Sequence, residues 1–87
     1  TIYYPRYPDA GMQKLAIAAL ASFNDVIIRL AFLSGIPLID LRHVCDEDSD
    51  YANPIEPSVA GGAKIARTIV QIVNEHDFGR RGTAVYF

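Results

Sequence analysis

The residues most able to do chemistry lie between Asp46 and Ala66. Four carboxylates, Asp46, Glu47, Asp48 and Asp50, precede the block Asn53-Pro54-Ile55-Glu56-Pro57-Ser58-Val59-Ala60-Gly61-Gly62-Ala63-Lys64-Ile65-Ala66. A Pro-bounded turn, a serine and a glycine pair ahead of an amphipathic run form the layout of a chain that presents a side chain at the mouth of an α/β sheet. Glu56 reads there as an acid/base or substrate-orienting residue, because open α/β folds place ligands beyond the carboxyl ends of their strands. On the residues alone it reads more readily as a carboxylate favoured by a helix N-terminus, an effect of about 1 kcal/mol at most. Asn53, before Pro54, is either its polar companion or a plain turn former. Ser58 stands where a helix cap belongs, at the start of an apolar-periodic run, rather than where a nucleophile would. His43 is a possible substitute base at the same edge, or a surface imidazole.

Several other chemistries are disfavoured by residue type. Asp46-x-Asp48-x-Asp50 has the alternate spacing of a calcium loop, but the sixth position is Tyr51 and the twelfth Pro57, where glycine and glutamate are needed. One cysteine, Cys45, with only His43 and His76 beside it, gives neither a disulfide nor a zinc set, and reads as a small apolar filler. No metal and no cofactor is expected. Eight basic and ten acidic residues leave a net charge of −2, without the basic, aromatic-laced patch that nucleic acid requires. No uninterrupted run of about 18 apolar residues is present, so no membrane span is expected. No leader peptide is visible, the chain opens on Thr1 rather than methionine, and its beginning is expected upstream.

The elements that must position these residues follow from patterning. Thr1 to Tyr4 is β-branched and aromatic and is expected to be a short strand, broken by Pro5 and Pro8. Asp9 caps a helix running from about Ala10 to Ser34, with Met12, Ala16, Ala19, Leu20, Phe23, Ile27 and Leu30 on one face and Gly35 as its left-handed terminator. Ile17, Val26, Ile28, Phe32 and Leu33 widen the apolar arc, so this helix is expected to be covered on more than one side. Ile36 to Leu41 reads as a strand buried on both faces in a parallel sheet. A long acidic loop spans Arg42 to Pro57. A second helix then runs from the Ser58 cap to about Glu75, with Val59, Ala63, Ala66, Ile69, Val70 and Val73 inward and Lys64, Arg67, Thr68, Gln71 and Asn74 outward. Gly61 and Gly62 lower helicity by up to about 1 kcal/mol each, which points to a close backbone approach. Thr83 to Phe87 could add an edge strand.

The segment Ile36 to Leu41, followed by Glu56-Pro57-Ser58-x-x-Gly61-x-x-Lys64-Ile65-Ala66, resembles the C-terminal end of SGNH/GDSL-type hydrolases. There the block reads Asp-x-x-His-Pro-(Ser or Asn)-x-x-Gly ahead of the last helix. Thr1-Ile2-Tyr3-Tyr4-Pro5 resembles the strand and loop before that family's penultimate helix, and Asn24 fits its helix-to-strand passage. The resemblance implies a partial three-layer α/β/α, flavodoxin-like parallel sheet in βαβα order. Residues 1–76 would be the C-terminal half of that domain and 77–87 a tail. It also implies hydrolysis of a small ester by a serine in an upstream Gly-Asp-Ser block, with oxyanion donors from two further blocks, none of which is in these residues.

Within the matching block, alignment on Pro57-Ser58-x-x-Gly61 puts Glu56 in the place of the family's histidine and Asn53 in that of its aspartate. A carboxylate with an unperturbed pKa of about 4.3 is a weaker base for a serine proton than imidazole at about 6.5. The other register makes Asp50 and Asn53 the pair, with an amide that accepts no proton. The candidate site residues are therefore Glu56, Asn53 and Asp50, in a chain expected to be inactive alone.

Two strands and two helices are too few to cover one another. The expected partner is the missing N-terminal half of the same domain or an identical copy. In the latter case the chain would be a noncatalytic homodimeric module, with Ile17, Ile28 and Phe32 at the interface.

Overall fold

Residues 1–87 are described by a computed structural model. Helix α1 covers Ala10–Ser34, strand β1 Leu38–Ile39, helix α2 Leu41–Val44, helix α3 Val59–Glu75 and strand β2 Val85–Tyr86, with a single 3-10 turn at Asp48–Asp50. Local signals set the helix ends. The Asp9 carboxylate accepts from Met12 N at 2.7 Å, and Gly35 adopts φ 65°, where its N–H closes onto Ala31 and Phe32 carbonyls. Ser58 Oγ accepts from Gly61 N at 3.1 Å and starts α3.

The sheet is far smaller than a flavodoxin-like layer. Leu38 and Ile39 pair in parallel with Val85 and Tyr86, and no third strand joins them. Thr1 to Tyr4 runs alongside β1 but offers it only one main-chain bond, Thr1 N to Ile39 O at 2.7 Å, so the expected first strand does not form. The outward groups of Ile2 are taken instead by a side chain of α1. Asn24 Oδ1 accepts from Ile2 N at 2.7 Å, and Asn24 Nδ2 donates to Ile2 O at 2.9 Å. The expected strand from Ile36 to Leu41 shrinks to two residues for two reasons. Pro37 has no N–H to give a ladder, and the Asp40 carboxylate accepts from Arg42 N and turns the chain into α2.

The expectation of a partial three-layer α/β/α sheet in βαβα order is thereby corrected. The order is helix, strand, two helices, strand, and more than half of the residues are helical. The molecule's Cα positions extend over 45 × 27 × 12 Å, a flat and elongated shape. Its radius of gyration is 14.1 Å, against about 12 Å for a compact chain of this length.

The core is correspondingly thin: Ala31, Leu38, Val44, Cys45 and Ile72 are the buried apolar residues. Both long helices turn apolar side chains away from it. On α3 the face expected inward is outward, with Val59, Val70 and Val73 all more than half exposed, while Gly61, Thr68 and Ile72 face the chain. On α1, Met12, Phe23 and Leu30 are likewise more than half exposed, and Gln13, Asn24 and Ala31 face inward. By length and composition α1 would pass for a bilayer-crossing helix, although Asn24, Asp25 and Arg29 interrupt its apolar sequence. The accessible surface is 5758 Å², roughly 700 Å² more than a compact monomer of this mass exposes.

Candidate functional site

The turn that carries the candidate residues is built by backbone pairing and by one amide. Tyr51 bridges to Pro57 in antiparallel fashion, and Ala52 N donates to Glu56 O at 2.9 Å. Inside that loop Asn53 Oδ1 accepts from Ile55 N at 3.0 Å and from Glu56 N at 2.9 Å, the arrangement by which asparagine stabilises a turn. Its Nδ2 donates to Glu56 Oε2 at 3.1 Å. Asn53 and Glu56 are thus joined side chain to side chain on an exposed turn.

Asp50 is not part of that pair. Its side chain is buried, and Oδ2 accepts from Asp46 N at 3.1 Å, Glu47 N at 3.0 Å and Lys64 Nζ at 2.9 Å. Oδ1 lies 2.9 Å from the same ammonium but outside hydrogen-bonding alignment, so it is ion-paired rather than hydrogen-bonded. Burial alone would raise the Asp50 pKa. The Lys64 ammonium and the Glu47 and Asp46 N–H groups outweigh it and hold the carboxyl below its ordinary value. Lys64 in turn reaches Glu47 at 3.3 Å and Asp46 at 3.9 Å. Two of the three carboxylates with calcium-like spacing, Asp46 and Asp50, therefore face the Lys64 ammonium, and the third, Asp48, pairs with Arg6.

Behind the turn the packing is tight. Ser58 Oγ donates to Ser49 O at 2.6 Å while capping α3, so its proton is committed to a carbonyl. Gly61 sits directly against the Asp50 backbone, where a Cβ would overlap the Asp50 carbonyl oxygen. Only glycine lets the first turn of α3 approach so closely.

Residues that the sequence reading did not single out tie the turn to the first segment. Arg6 N donates to Pro54 O at 2.8 Å, and its guanidinium pairs with Asp48 at 3.2 Å, bonds the Asp46 carbonyl and lies 5.4 Å from the Tyr51 ring centre. The Tyr51 hydroxyl donates to Tyr4 O at 2.6 Å and lies 3.1 Å from Cys45 O, and the Tyr3 hydroxyl donates to Ile55 O at 2.8 Å. The only sequence signal for this contact was the rigid Pro5-Arg6-Tyr7-Pro8 run. Two hollows flank the turn. A polar cleft of about 560 Å³ is lined by Arg6, Tyr7, Gln13, Asp48, Tyr51 and Asn53, and an apolar groove of about 430 Å³ by Ile2, Tyr3, Pro5, Leu20 and Ile55 among others.

His43 is not brought to Glu56. It lines a separate recess of about 310 Å³ with Lys64, Arg67 and Phe87, its Nε2 3.7 Å from Asp40 Oδ2 and its ring 5.2 Å from that of Phe87. Asp40 belongs chiefly to Arg42, which grips it through Nε and Nη2 at 2.8 Å each. With help from the Thr1 hydroxyl, that grip lowers the carboxyl to about 2 against the cost of burial. Cys45 is buried, and burial first and the neighbouring Asp50 charge second push its thiol up, away from nucleophilic use. No group of three or more metal-binding side chains converges anywhere in the chain.

What the arrangement offers chemically is a carboxylate whose one oxygen is held by an amide, on a turn braced from behind and open in front. It contains no nucleophile of its own. No family model, curated protein or solved structure matches the chain.

Proposed function

We propose that this chain is the C-terminal portion of a serine ester hydrolase of the SGNH/GDSL type. It would contribute the Asn53–Glu56 turn to a site whose serine and oxyanion donors lie in sequence outside residues 1–87, and be inactive alone. The observation that carries the reading is the brace behind the turn. Asp50 with Lys64, Ser58 with Ser49, and Gly61 against the Asp50 backbone fix the base of the turn, on which Asn53 bonds the Glu56 carboxylate and amide. The serine-bearing segment would pack on the open apolar face of α3, where Val59 begins one residue after the turn and is 93% exposed.

In that site the serine hydroxyl attacks the ester carbonyl while Glu56 accepts its proton, and Asn53 fixes the orientation of the accepting carboxylate. The proton passes to the departing alkoxide, and water, deprotonated by Glu56, then releases the acid and restores the serine. No cofactor takes part.

A fluorophosphonate probe and a short-chain nitrophenyl ester test the proposal. Residues 1–87 alone should be unlabelled and inactive. With flanking sequence, label should fall on a serine outside them, and Glu56→Gln should slow turnover by about 100-fold or more. Turnover by residues 1–87 alone, lost on Glu56→Ala, overturns the proposal, as does a flanked protein that is indifferent to Glu56→Gln.

A further inference from the structure

We draw no further inference here: the strongest candidate, the apolar groove of about 430 Å³ that Ile2, Tyr3 and Pro5 of the first segment form with Leu20 of α1 and Ile55 of the candidate turn, carries nothing because nothing in the structure shows what covers it.

Discussion

Exchanging the two adjacent glycines of α3 for alanine, one at a time, should move stability in opposite directions. At Gly61 the new methyl would overlap the Asp50 carbonyl oxygen and stand 3.2 Å from Asp50 Cα. Asp50 has nowhere to retreat. Its carbonyl accepts from Ser58 N at 2.7 Å, its own N–H is bonded to Glu47 O at 3.0 Å, and its carboxylate is held by Lys64 and two backbone amides. Overpacking of this kind costs about 1–3 kcal/mol, while alanine recovers at most about 1 kcal/mol of helix propensity. The net loss for Gly61→Ala is about 1–2 kcal/mol. Nothing lies within 4 Å of a Cβ at Gly62, so Gly62→Ala keeps the propensity gain. Urea unfolding followed at 222 nm, with a slope of about 1 kcal/mol/M, should therefore separate the two midpoints by about 2 M. Equal shifts of the same sign would refute the claim that α3 is seated on the Asp50 backbone.

Three further outcomes follow from the hydrogen-bond map. Asp40 has a folded pKa of about 2, below its unfolded value, so its contribution of about 2 kcal/mol is full above the unfolded pKa and lost as pH falls from 4 toward 2. Denaturant midpoints across that range should fall in the parent chain and fall less in Asp40→Asn, which keeps only the loss from Asp50, whose carboxyl is also held below its ordinary value. Asn24→Leu strands the Ile2 N–H and C=O and should cost about 2 kcal/mol in thermal unfolding, with loss of amide-exchange protection at Ile2. Lys64→Met leaves the buried Asp50 carboxylate with only the Asp46 and Glu47 amides and should lower the denaturant midpoint. Adding Asp50→Asn should then cost less than the two single changes predict when summed.

The helix ends were legible in the sequence because their signals are local. Asp9 and Gly35 mark α1, and Ser58 marks α3, each acting through groups within a few residues. The pairing of Asn53 with Glu56 is local too, since an asparagine before Pro54 bonds the amides two and three residues on. What each helix faces was not legible. Periodicity shows that α3 has an apolar side, but its orientation comes from the Gly61 contact and the Lys64–Asp50 pair, which turn Val59, Val70 and Val73 outward. The same limit applies to Asp50. Its place among carboxylates suggested a site, whereas its partner stands 14 residues away on another helix. Arg6 and Tyr51 meet across more than 40 positions, a separation that no motif spans. The three-layer expectation failed because an apolar hexapeptide resembles a buried strand even when Pro37 and Asp40 leave it only two pairing residues.

The amide that Asn24 lends to Ile2 bears on how the chain behaves at high concentration. A side chain standing in for a neighbouring strand leaves no template on that flank for another polypeptide to add to, and the opposite flank offers only Val85 and Tyr86. Ribbon-wise polymerisation into fibrils is blocked at one margin and starved at the other. Crowded molecules should instead clump through their greasy helices, giving amorphous precipitate that detergent redissolves and that does not bind thioflavin.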